Sequence, residues 1–112
     1  MHLTHRIVDQ KICVIEVVGS SVGARIEETV NFLDPFLGNP NIEGILLNFT
    51  NVDFVSSAGI GWVMFIFKTL KERGARFAIC GLNSKVRSTF SMTGLDGMLR
   101  IYKDESSALA EF

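Results

Sequence analysis

An α/β fold, a mixed central β-sheet of about five strands covered by about four helices, is predicted for this 112-residue chain by three observations. Short apolar runs alternate along the chain with longer segments of helical periodicity, the pattern of strands joined by crossover helices. The run Gly44 to Phe49 is apolar at almost every position, as a strand buried on both faces must be. Clusters such as Gly38-Asn39-Pro40-Asn41 and Thr93-Gly94-Leu95-Asp96-Gly97 punctuate the junctions.

Leu3 to Val8 alternates weakly and Lys11 to Val18 strongly, so the two read as strands joined at Asp9-Gln10 in a tight hairpin. Gly19-Ser20-Ser21 ends the second strand. From about Gly23 to Leu37 the apolar residues Ile26, Val30, Leu33 and Leu37 form one helical stripe, which Pro35 should distort or end early. Gly44 to Phe49 is the third and central strand. A helix from near Ser57 to about Arg73 comes next, stopped at Gly74. Arg76 to Cys80 is a fourth strand, Lys85 to Met92 a short helix capped by Ser84, Leu99 to Tyr102 a fifth strand and Asp104 to Glu111 a closing helix.

The long helix carries apolar residues on more than one side. Ile60, Val63, Met64, Phe67 and Leu70 share one face, while Trp62, Phe65 and Ile66 project roughly opposite. Those three are either covered by neighbouring helices or form an exposed patch for a protein contact.

With 47% apolar residues the chain, read as a single domain over residues 1–112, can build a core without staples. Eleven basic against twelve acidic residues give no reason to expect nucleic acid or an anionic membrane as the main partner. The longest apolar run, Ile60 to Phe67, falls far short of the ~20 residues that span a bilayer. The polar start, Met-His-Leu-Thr-His-Arg, lacks the apolar segment of a secretory signal, and a cytoplasmic protein is expected. Cys13 and Cys80 fit buried reduced thiols, a disulfide being the alternative.

Val52 to Gly61 is the stretch around which the rest is organised. Ser56 and Ser57 stand where a strand hands over to a helix, so a hydroxyl there can accept from the free N–H groups of the first turn. Gly59 and Gly61 occupy that turn although Gly costs roughly 1 kcal/mol relative to Ala in a helix, which suggests that another surface approaches closely. Catalytic readings fare worse. The third glycine of a dinucleotide fingerprint is missing, Met64 standing in its place, and no Walker A lysine occurs. Ser57 lacks a G-x-S-x-G elbow, and the only histidines, His2 and His5, lie at what should be a frayed terminus with no cluster to make a metal site. Neither an enzyme nor a cofactor is expected.

Asp53-Phe54-Val55-Ser56-Ser57-Ala58-Gly59-Ile60-Gly61, preceded by Ile45 to Asn51 and followed by Gly81-Leu82 and Met92-Thr93-Gly94-Leu95, resembles the STAS family, shared by bacterial anti-sigma factor antagonists and sulfate-transporter tails. The likeness spans nearly the whole chain. It implies a non-catalytic mixed-sheet domain. In the antagonist branch it further implies a serine at the position of Ser57 phosphorylated by a kinase that is also the anti-sigma factor, with a phosphatase resetting it. Ser56 is a second acceptor to consider. By the same resemblance, Ser20, Ser21, Asn48 and residues Ser56, Ser57, Ala58, Gly59, Ile60, Gly61 and Trp62 meet the partner. Three departures stand out: Ser56 precedes the acceptor where the family has an acid, Asn48 replaces an aspartate, and Val22 replaces an acidic residue after the second strand.

Two functions are consistent with these residues. One is an anti-sigma factor antagonist-like phospho-switch acting through Ser57. The other is an unphosphorylated STAS scaffold in a transport or signalling assembly, docking through Trp62, Phe65 and Ile66. A hydrolase using Ser57 is a distant third. Oligomeric state stays open, a homodimer included.

Overall fold

A computed structural model describes residues 2–19 and 26–112. The first two strands, β1 (His2–Val8) and β2 (Ile12–Gly19), form an antiparallel hairpin. Its turn places Asp9 and Gln10 at φ 53° and 62°, left-handed values that two non-glycine residues adopt here. Helix α1 (Ile26–Leu37) comes next, then the third strand β3 (Gly44–Val52) and helix α2 (Ser57–Glu72). The chain closes through β4 (Arg76–Cys80), α3 (Ser84–Met92), a 3₁₀ turn at Leu95–Gly97, β5 (Arg100–Tyr102) and α4 (Glu105–Ala110).

The sheet order is β1-β2-β3-β4-β5, with β3 in the middle and every pair beyond the first parallel. Among the described residues the sheet is mixed, with five strands, and four helices accompany it, the fold that the alternation of patterns predicts.

Alternate residues of the strands feed two cores. Cys13, Ile15, Val17, Ile45, Leu47 and Phe49 pack with α1, α2 and α3, while Ile12, Val14, Leu46 and Ala78 pack with α4. Cys13 lies in the first core and Cys80 in the second, on opposite faces of the sheet, so both thiols are free.

Several expectations change. His5 is no frayed end: it sits in a fully paired strand, and its ring lies 4.6 Å from Phe36 and 5.8 Å from Phe32 of α1. Pro35 does not shorten α1, which runs on to Leu37; Pro35 is exposed, and Gly38 N–H donates to Asp34 O to close the last turn. The cap of α3 is Asn83, one residue before the expected Ser84. Most consequentially, Trp62 and Ile66 are buried, so they belong to the core and not to a docking face. The inward stripe of α2 is Gly59, Trp62, Val63, Ile66 and Leu70, with Ile60, Met64 and Phe67 half-buried beside it. Only Phe65 of the three projecting residues is exposed, at 45%.

Candidate functional site

β3 extends to Val52, past its last pairing with β4 at Asn48. Against β2 its register slips by one residue, Glu16 facing Asn48 but Val18 facing Asn51. Such a bulge bends the strand and re-aims the residues beyond it. The Asn48 carboxamide stabilises the slip, its Oδ1 accepting from Thr50 N–H at 2.9 Å and from the Thr50 hydroxyl at 2.6 Å. Gly81 passes so close beneath that a Cβ would lie 2.9 Å from Thr50 N; its φ of 77° also favours glycine. Here a glycine is demanded by the fold.

Between β3 and α2 the chain turns a corner anchored from below. Val55 is buried, and the Asn83 side chain donates to Val52 O at 3.0 Å and to Asp53 O at 3.2 Å. The same side chain accepts from Val86 N–H at 2.8 Å, capping α3. Phe90 of α3 meets Phe49 of β3 edge to face at 6.4 Å, and two fully buried rings contribute roughly 1.5–3 kcal/mol each. Asn83 therefore ties the corner and α3 into one unit. The sequence signal for it was there, since asparagine is a favoured N-cap.

At the corner the two serines divide the work. Ser56 is the N-cap of α2, extended at φ −81° and ψ 174°, with its hydroxyl accepting from Gly59 N–H at 3.2 Å. Ser57 is the first helical residue, and it is exposed. The neutral residue before Ser57 thus keeps a structural duty that a carboxylate in its place would also perform. Ser57 shares an open hollow of about 280 Å³ with Phe54, Val55, Ile60, Thr89 and Thr93. Thr89 and Thr93 lie one turn apart and escape sequence reasoning, because nothing local links them to Ser57. Phe54 is 42% exposed and Met92, on the neighbouring helix, 86%.

Of the remaining candidates, Ala58 and Gly61 are exposed, Ile60 is half-buried, and Gly59 is buried. A Cβ on Gly61 would meet nothing within 4 Å, so the fold itself does not require glycine there. Trp62, placed by resemblance among the partner-binding residues, is 2% exposed and faces the core. Ser20, Ser21 and Val22 lie outside the described residues.

From Asn48 to Trp62 the one ionisable residue along the chain is Asp53, and none of the described residues lining the hollow beside Ser57 carries a charge. Neither thiol is an activated nucleophile, burial pushing both Cys13 and Cys80 up to about 11, with Glu105 and Asp104 adding to the effect at Cys80. Among the described residues no three His, Cys, Asp or Glu side chains are grouped to hold a metal, and no helix is long and apolar enough to cross a membrane. The arrangement offers an exposed hydroxyl, open backbone and a hollow lined by Phe54, Val55 and Ile60.

Comparison with known proteins accords with the geometry. The STAS domain model matches residues 6–108. The anti-sigma F factor antagonist of Paenibacillus polymyxa is 30% identical over 79 residues, 70% of this chain and 68% of that protein. The unphosphorylated form of the anti-sigma factor antagonist SpoIIAA superposes with a TM-score of 0.83 at 20% identity, over 98% of this chain and 95% of that one. The phosphorylated form of the Bacillus SpoIIAA gives 0.77 at 19% identity, over 98% of each. These relatives are regulatory proteins. The chain belongs to the STAS domain family.

Proposed function

From membership of the STAS family and its anti-sigma factor antagonist relatives, we propose that this chain is a cytoplasmic, non-catalytic phospho-switch. Its unphosphorylated Ser57 corner binds a serine kinase that also acts as an anti-sigma factor. Phosphorylation of Ser57 releases that partner, and a phosphatase restores binding.

One observation carries the proposal: Ser57 is exposed at the first position of α2 while Ser56 supplies the cap, so the fold does not need the Ser57 hydroxyl for capping. A phosphate there adds about −1.5 to −2 charges where the helix N-terminus favours an anion. Within the fold the modification costs little. At a docked interface it is different, because the added charge must be desolvated against a partner covering Gly61, Ile60 and Phe54. The switch needs no refolding, only repulsion and lost complementarity. That SpoIIAA is known in phosphorylated and unphosphorylated forms of the same fold agrees with this economy.

The scaffold alternative keeps only Phe65 of its three docking residues, Trp62 and Ile66 being buried. Peptide mapping of the protein isolated from its native host tests the switch. A phosphate on Ser57 is expected. Phosphate confined to Ser56, or none after incubation with the host's kinase fraction, would overturn it.

A further inference from the structure

The opposite end of the molecule holds a second feature, independent of Ser57. α2 has sixteen residues at 1.5 Å each, so its ends stand about 24 Å apart. At its far end two hollows of about 280 and 350 Å³ adjoin, sharing Gly74, Ala75 and Arg76. Lys11, Arg73 and Arg76 line the first, and Lys71, Arg76 and Arg100 the second. Against these five cations the hollows present one carboxylate, Glu43, with Glu111 in a neighbouring crevice. Arg76 Nη1 donates to Phe112 O at 2.7 Å and Lys71 Nζ stands 5.7 Å from the centre of the Phe67 ring, but none of the five meets an Asp or Glu side chain, the one such pair among the described residues being Arg6 with Glu105.

Arg73 sharpens the point. Its Nη1 donates to Ile42 O at 2.8 Å and Asn39 O at 3.2 Å, which fixes the guanidinium. Its Nε and Nη2 are buried and have no hydrogen-bond partner among the described residues. A guanidinium held beneath a surface without a counter-charge raises the local potential and favours an arriving anion. The chain's net charge is −1, so the basic pole is a local concentration and not a consequence of composition. Phe67 and Phe77 form the recessed apolar part of the second hollow, and Met98, also lining it, is 53% exposed.

We propose that this pole docks an acidic segment of a partner protein, whose carboxylates face the exposed Lys11, Lys71 and Arg100 above the half-buried Arg73 while one apolar side chain enters the hollow beside Phe67 and Phe77. Cations ringing a recessed apolar floor fit such a segment better than a membrane, which needs protruding apolar residues, or duplex DNA, which asks for a continuous cationic track. The site would be usable while the Ser57 corner is occupied.

The test is an amide NMR titration of the full chain at low salt with two blocked pentapeptides, Glu-Glu-Phe-Glu-Glu and Gln-Gln-Phe-Gln-Gln. The acidic peptide is expected to shift amides at residues 11–12, 73–77 and 98–100, and the neutral one to leave them unmoved. Combining Lys71→Glu with Arg100→Glu, both exposed, should weaken the acidic peptide about tenfold. Lys11→Glu alone should weaken it less, and Ser57→Asp not at all. Shifts scattered over the surface, or affinity unchanged in both basic-pole variants, would overturn the proposal. So would tighter competing binding by phosphatidylglycerol vesicles or duplex DNA.

Discussion

The start of α2, from its cap Ser56 to Gly61, holds two serines, two glycines and no ionisable side chain, whereas its end carries Lys71, Glu72 and the capping Arg73. Both ends are held to the body of the protein through side chains that grip backbone carbonyls: Asn83 on Val52 O and Asp53 O at the corner, Arg73 on Asn39 O and Ile42 O at the pole. The grips differ in kind. A neutral amide fixes the corner and leaves its electrostatics to whatever is added to Ser57, while a guanidinium fixes the pole and makes it permanently positive. On the proposed reading, the surface whose charge is to be changed starts without a fixed cation, and the one with a constant preference carries its charge in the structure.

The largest expected effect tests the neutral grip. Asn83→Ala removes a helix cap and two hydrogen bonds to the corner, and should destabilise the protein by about 2–3 kcal/mol in urea unfolding. A loss under ~0.5 kcal/mol would mean that Asn83 does not hold the corner. Ser56→Ala comes next, at about 1 kcal/mol for the lost cap, while Ser56→Asp should keep stability by capping with a carboxylate at the positive end of the helix. Equal loss in both would remove Ser56 from its structural duty. Smallest and opposite in sign, Gly61→Ala should stabilise the fold by about 0.5–1 kcal/mol, since nothing crowds a Cβ there, yet weaken partner binding. Gained stability with undiminished binding would show that no neighbour approaches that backbone.

Much of this is legible in the sequence. Strand and helix order comes from period-two and helical patterns, and β3 is placed at the centre by a run that is apolar at almost every position. The serine corner is visible as well, because strand, Ser-Ser and glycine-containing helix are contiguous. The features that are not legible depend on contacts distant in sequence. The inward face of α2 is one: the helix packs against both the sheet and its helical neighbours, so a broad apolar arc surrounds it and the stripe centred on Trp62 and Ile66 cannot be told from its flank. His5 takes its order from Phe32 and Phe36, far along the chain. The basic pole gathers Lys11, Lys71, Arg73, Arg76 and Arg100 from separate elements, and a balanced net charge conceals it.

That a charge added at Ser57 breaks the partner contact is the central claim, and paired affinity capture tests it most directly. Ser57→Ala and Ser57→Asp proteins are immobilised and exposed to native-host extract, and a serine kinase is sought among the retained proteins. Recovery of that kinase with the alanine variant and its loss with the aspartate variant is the predicted result; equal recovery by both would contradict the account.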